Sequence, residues 1–82
     1  MSVNKESMGV LHRTLGVNIV WLMVNKGLTV SNIERATGIY RTRVSRILQG
    51  RDDVTLTELQ KIADYFEVDA LDLLKIDNSK DV

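Results

Sequence analysis

Three arginines within six residues, Arg41, Arg43 and Arg46, are the side chains of this chain best placed to do chemistry. They stand in RTRVSRILQG (41–50), where Val44, Ile47 and Leu48 recur at helical spacing. The opposite face of such a helix carries Thr42, Ser45, Arg46 and Gln49, with Arg41 and Arg43 at its flanks. A guanidinium can pair bidentately with a guanine edge, and a threonine can meet a base acceptor or a thymine methyl. A helix that buries one apolar stripe and offers this face outward has the chemistry needed to read the major groove of duplex DNA. Other chemistry finds little support. His12 is the lone histidine, and Asp69 and Asp72 sit three apart at a helix start, which suits capping and the helix dipole better than metal ligation. The chain has no cysteine, no phosphate loop, no nucleophile elbow and no histidine–carboxylate metal constellation. The expectation is a protein that is not an enzyme and needs no cofactor or metal.

The arginine helix needs a turn before it and a stop after it. Gly38, in Thr37-Gly38-Ile39, supplies the positive φ of a sharp corner, and Gly50 stands where a helix-ending glycine belongs. Upstream, Thr29 is a good N-cap for a second helix whose inner face is Ile33 with Ala36 or Thr37. Its start aims backbone N–H groups at whatever anion lies in front of it. A first helix is predicted over 10–26, with one apolar stripe of Leu11, Leu15, Ile19, Leu22 and Met23. A second stripe on it, Val17, Val20, Trp21 and Val24, must meet a partner surface or the N-terminal segment (Val3, Met8, Val10). After the loop 51–54, Thr55 and Glu58 form a capping box for a fourth helix with Leu59, Ile62, Ala63 and Phe66 inward. Asp69 caps a short fifth helix bearing Leu71, Leu73 and Leu74. Residues 1–9 read as a flexible segment that could reach a minor groove with Lys5, and 77–82 as a disordered tail, leaving one domain over 10–76.

Composition agrees with a single small helical domain of 82 residues with 44% apolar content. No apolar run reaches the roughly 18 residues of a membrane span, and the N-terminus lacks a signal-peptide layout. A cytoplasmic protein without membrane partners is expected. Net charge is zero, but its distribution is lopsided. Residues 1–51 hold eight Lys/Arg and two acids, net +6, and residues 52–82 hold three Lys and nine acids, net −6. The positive half contains the arginine helix, and such a patch can orient a domain on a phosphate backbone.

From residue 15 to residue 74 the chain resembles the lambda-repressor-like family of Cro/CI or Xre type. The resemblance is carried by Gly27-Leu28-Thr29, Gly38-Ile39 and VSRILQG (44–50) at the family's spacing, with LGVNIVWLMVNKGLT (15–29) as first helix and TLTELQKIADYFEVDALDLL (55–74) as fourth and fifth. It implies an all-α, compact five-helix domain with a helix-turn-helix at helices two and three. The implied base-contacting residues are Arg41, Thr42 and Arg46, with Tyr40 and Arg43 nearby. Thr29, Gln49 and Arg51 are the implied phosphate contacts. The implied function is transcriptional regulation by a phage or prophage repressor, bound as a homodimer to a near-palindromic operator in the bacterial cytoplasm, on the nucleoid. No small-molecule ligand is expected. The resemblance puts the dimer interface at Leu71, Leu74 and Ile76. The sequence adds a competing surface, Val17, Val20, Trp21 and Val24. A restriction–modification controller is the rival within the class, and an antitoxin-type interaction module the rival outside it.

Three departures from the family pattern bear on the structure. Glu34 replaces a small residue and must tilt outward or pair with an arginine. Tyr40 takes the N-cap slot of the arginine helix, where Ser or Thr is usual. Met23 and Leu48 replace an Arg–Glu pair together, so packing takes over that contact between helices.

Overall fold

The computed structural model describes residues 8–76. The proposed roles of Lys5 and Val3, and the tail over 77–82, lie outside the described residues. Four α-helices follow in order, α1 Val10–Lys26, α2 Val30–Thr37, α3 Arg41–Leu48 and α4 Leu56–Phe66, and then a 3-10 helix, Ala70–Leu74. No strand occurs among the described residues. The all-α class is as expected, but the fifth helix is a single 3-10 segment rather than an α-helix. Asp69 Oδ1 accepts from the Leu71 amide at 2.9 Å and the chain leaves helical geometry at Lys75, so five residues are all it has.

Eleven side chains form the core: Leu15, Ile19, Ile33, Ile39, Val44, Ile47, Leu59, Ile62, Ala63, Phe66 and Leu73. The inner faces expected of α2, α3 and α4 all contribute to it. On α2 the buried residue after Ile33 is Thr37, whose Oγ1 donates to the Ile33 carbonyl at 2.7 Å and accepts from the Ile39 amide at 3.2 Å; Ala36 faces out. The hydroxyl therefore also stitches the turn, which a methyl could not do. On α1 the expected stripe begins one turn late. Leu11 is exposed and the buried run starts at Leu15, because the partners of α1 are α3 and the 3-10 helix, and the core cluster does not extend to its first turn. Met23 and Leu48, the apolar replacements, both lie half-buried against the core.

Two features of α1 depend on partners far along the chain. Asn18, in the middle of the helix, is buried, and its Nδ2 donates to the carbonyls of Leu73 at 2.8 Å and Lys75 at 3.0 Å. A buried amide stabilises only where partners satisfy it, and here it ties the 3-10 helix to α1. Gly16 is the second. A Cβ built there would stand 2.3 Å from the Leu48 carbonyl oxygen, so only glycine lets α1 approach the end of α3 this closely.

The orientation of α3 is also held from α4. The Thr55 hydroxyl accepts from the Glu58 amide at 3.0 Å, and Glu58 Oε1 accepts from the Thr55 amide at 2.9 Å, completing the capping box. The other carboxylate oxygen, Oε2, accepts from Arg43 Nη1 on α3. The Arg43 bond, with Thr55 behind it, outweighs burial and holds the Glu58 carboxyl below the usual carboxylate range.

Gly16→Ala, a change that stabilises an unobstructed helix by about 0.5–1 kcal/mol, should here lower unfolding stability by about 1–3 kcal/mol through overpacking against backbone. Denaturant unfolding against wild type checks this, and a variant at least as stable as wild type would refute the close approach. Because the Glu58 carboxyl is lowered by folding, its ionised form stabilises the fold above the unfolded value of about 4, and that contribution disappears as pH falls through the folded value. The stability difference between wild type and Glu58→Gln should thus be constant near neutral pH and shrink below about pH 4. A difference that does not change with pH would remove the ion pair from the account.

Candidate nucleic-acid interface

The turn that sets α3 against α2 is built as its residues require. Gly38 adopts φ 79°, its amide donates to the Glu34 carbonyl at 2.8 Å, and Ile39 is driven into the core. The chain then enters α3 at Tyr40, whose side chain makes no capping bond and is 79% exposed. The cap comes from elsewhere. Glu34 Oε2 accepts from the Arg41 amide at 2.8 Å, and Oε1 lies 3.6 Å from Arg41 Nε. The unusual carboxylate on α2 thus meets the amide that follows the unusual tyrosine. Glu34 satisfies the first amide of α3, whereas a Ser or Thr at position 40 would reach the second or third, and Tyr40 is left facing outward.

Beyond that cap, α3 turns Arg41, Thr42, Arg46 and Gln49 to the exposed side, with Ser45 half-buried between them. Arg43 behaves differently. Its Nη1 bonds Glu58, its Nη2 donates to the Asp53 carbonyl at 2.6 Å, and its Nε lies 3.7 Å from Asp52 Oδ2. The hydrogen bond to Glu58, together with the surrounding carboxylates, overcomes burial and raises the Arg43 pKa further above its already high value. Its guanidinium therefore faces α4 and the following loop rather than the outer face shared by Arg41 and Arg46.

Asp52 connects that brace to the outer face. Its Oδ2 accepts from Arg46 Nε at 3.1 Å and its Oδ1 from the Asp53 amide at 2.9 Å. Burial alone would raise the Asp52 carboxyl, but the bonds from Arg46 and the Asp53 amide and the nearby Arg43 charge outweigh it, and the net shift is downward. Arg46, Arg51 and Asp52 line one shallow cleft with Met8 and Gly50. Gln49 caps α3, and its Oε1 accepts from Arg51 Nη1 at 3.2 Å. Gly50, at φ 71°, lets the Arg51 amide fold back to the Arg46 carbonyl at 2.9 Å. A sequence pattern could have flagged Asp52 only as one of two acids after the glycine. Which arginine it meets depends on the path of the loop.

At the start of α2, Thr29 caps as expected, and Asn32 completes a box that sequence reasoning misses. Thr29 Oγ1 accepts from the Asn32 amide at 3.3 Å, and Asn32 Oδ1 accepts from the Thr29 amide at 2.7 Å. Asn in place of the usual Glu or Gln hides the pattern. The box does not use the amides of Val30 and Ser31, which start the helix. His12 also makes a contact that sequence reasoning misses. It lies within α1, and its Nε2 donates to Asp53 Oδ1 at 2.6 Å, tying the loop after α3 back to α1.

The two surfaces considered for self-association are both solvent-facing and adjoin one another. Val17, Val20, Trp21 and Val24 are exposed on α1, as are Leu71 and Ile76 at the 3-10 helix, whereas Leu74 is half-buried against the core. Asn18 joins the two elements between them. Among the described residues no group of His, Cys, Asp or Glu could hold a metal ion, and no helix is long and apolar enough to cross a membrane.

The sequence profile of the Cro/C1-type HTH DNA-binding domain matches residues 18–79 of the chain. No curated protein matches it significantly. Among solved structures it is similar to that of a hypothetical transcription factor, NHTF, from Neisseria, with a TM-score of 0.78 and 30% sequence identity over 85% of this chain and 80% of that one. With α2 and α3 as its helix-turn-helix, the chain belongs to the Cro/C1-type helix-turn-helix DNA-binding family.

Proposed function

We propose that the protein is a sequence-specific binder of double-stranded DNA that represses transcription in the manner of phage or prophage Cro/CI regulators, acting as a two-fold dimer on a near-palindromic operator. The observation that carries this reading is the outer face of α3. Arg41, Thr42 and Arg46 stand exposed together on a helix whose other face is core, and Arg51 shares a cleft with Arg46. Arg41, Thr42 and Arg46 are the proposed base readers, with Tyr40 beside them. Arg43 belongs to this set by resemblance, but it would reach DNA only by releasing Glu58 and Asp53, and its proposed part is to brace the helix. Thr29, Gln49 and Arg51 are the proposed phosphate contacts, Thr29 through the helix start that it caps.

One domain presents one short reading helix, so useful specificity requires two half-sites about one DNA turn, roughly 34 Å, apart. The proposed interface is around Leu71, Leu74 and Ile76. The exposed α1 face Val17, Val20, Trp21 and Val24 is the alternative, and the same face supports a second reading, an antitoxin-type module that holds a protein partner. A restriction–modification controller remains the rival within the class, and a promoter both activated and repressed would favour it.

Arg46→Ala should flatten base preference at one position of each half-site, each missing bidentate pair being worth about 1–3 kcal/mol of discrimination. Arg51→Ala should instead weaken all sequences alike and lower the salt slope by roughly 0.9 for every phosphate that each subunit no longer neutralises. Selection from a randomised duplex pool and salt-dependent binding measure both, and an Arg46→Ala profile identical to wild type would remove Arg46 from the reader set. For the dimer, Leu71→Glu and Val24→Glu probe the two surfaces at exposed positions, where folding is least at risk. Sedimentation should show dimer loss in Leu71→Glu alone. Loss in Val24→Glu alone moves the interface to α1, and an operator bound by wild-type monomer ends the dimer reading.

A further inference from the structure

The bond between Asp52 and Arg46 uses a particular nitrogen of the guanidinium. Arg46 is held through Nε, at 3.1 Å from Asp52 Oδ2, and its Nη groups make no hydrogen bond among the described residues. Asp52 is itself fixed. Its Oδ1 is taken by the Asp53 amide, Arg43 Nε stands 3.7 Å from the same Oδ2, and only a quarter of its side chain is exposed. Arg43 is in turn anchored to Glu58, and Glu58 to Thr55 at the start of α4. Hydrogen bonds and one longer ion pair, the 3.7 Å contact of Arg43 with Asp52, thus connect the N-cap of α4 to the guanidinium on the outer face of α3. A guanidinium held at Nε has lost most of its rotational freedom yet keeps its two terminal Nη groups, which form the fork that matches two acceptors in one plane.

We propose that Asp52 is a positioning residue for base recognition: it holds Arg46 by Nε so that the Nη fork is presented, already oriented, to the paired O6 and N7 acceptors of a guanine. The inference rests on the proposed reading of DNA by α3. A lone long side chain would have to be ordered on binding, whereas one ordered beforehand meets the base with less loss of freedom. The carboxylate also opposes use of Arg46 as a general phosphate clamp, because a phosphate brought to that guanidinium approaches a fixed negative charge. Asp52 therefore favours the base edge over the backbone. It trades some overall affinity for discrimination, and it makes no direct contact with a base.

The test uses the full chain and the duplexes it selects from a pool randomised over two half-sites. Asp52→Ala should bind non-selected duplex more tightly than wild type and lose discrimination, on the order of tenfold, at the same base position that Arg46→Ala flattens. The other positions should be retained. In the Asp52→Ala/Arg46→Ala double variant that position should look like Arg46→Ala alone. Asp52→Asn, which can still accept from Nε, should restore part of the preference. In nitrogen-15 NMR of the free protein the Arg46 Nε–H should be a distinct signal slow to exchange, and should merge with the exposed arginines in Asp52→Ala. If Asp52→Ala keeps wild-type preference at that position, or loses preference at every position together with thermal stability, the proposal is wrong. Should the alanine variant fail to fold, Asp52→Asn decides, and preference equal to wild type with an unprotected Nε–H overturns the idea. A wild-type protein that selects no sequence overturns the DNA reading itself, and is recognised because it precedes any effect of Asp52.

Discussion

The ion pair between Arg43 and Glu58 is the constraint on which the orientation of α3 depends. The helix has eight residues, too few to persist in water by its own hydrogen bonds. Val44 and Ile47 press one side of it into the core, which fixes its depth. Two apolar anchors on one stripe leave rotation about the helix axis less well determined. Arg43 supplies the missing constraint, because a guanidinium bonded to Glu58 and to the Asp53 carbonyl is tied to two different elements. Both partners of the pair are partly exposed, so its net contribution to stability is modest. Its effect is on geometry, since the outer face holding Arg41, Thr42 and Arg46 turns with the same helix.

That brace changes the meaning of the charge distribution. Along the sequence the chain splits into halves of +6 and −6, which suggests a basic surface and an acidic one. In space the halves interlock at α3. Asp52 and Glu58, from the acidic half, sit against Arg43 and Arg46, from the basic half, and Glu34 faces Arg41. Every arginine of α3 therefore has a carboxylate near it. Attraction of this surface for a phosphate backbone must be weaker than a count of its arginines implies, and fewer counterions should be released than the arginines could neutralise.

Features with short range and a fixed period are legible in the sequence. The capping box at Thr55, the corner at Gly38, the apolar stripe of α4 and the N-cap at Thr29 each depend on residues within a few positions, and each stands where its pattern puts it. Contacts across the fold are not legible in this way. Asn18 is inconspicuous in an apolar helix because its acceptors, the Leu73 and Lys75 carbonyls, are more than fifty residues away. Gly16 has the look of an ordinary helix glycine until the Leu48 carbonyl lies above it. Arg43 falls with its neighbours on a helical wheel, which gives the angle of a side chain but says nothing of the acids that α4 brings alongside. The Asp69 cap ahead of Leu71, Leu73 and Leu74 suggests a short fifth helix, and five residues with one cap settle into 3-10 geometry.

Glu34 and Tyr40 together decide what the front of α3 can hold. The start of a helix is an electropositive place that usually accepts either a side-chain oxygen or an anion from outside. At α3 the Glu34 carboxylate already occupies it, bonded to the Arg41 amide and beside the Arg41 guanidinium. A phosphate has no claim on that amide. The first amide of α3 is consequently closed to a backbone contact, and the exposed Tyr40 ring stands in the slot of a capping side chain without making a capping bond. At α2 the arrangement is the reverse. Its box is closed by two neutral residues, Thr29 and Asn32, and no carboxylate stands at its start. The two helix starts therefore differ in charge, with a protein carboxylate bonded at that of α3 and none standing at that of α2.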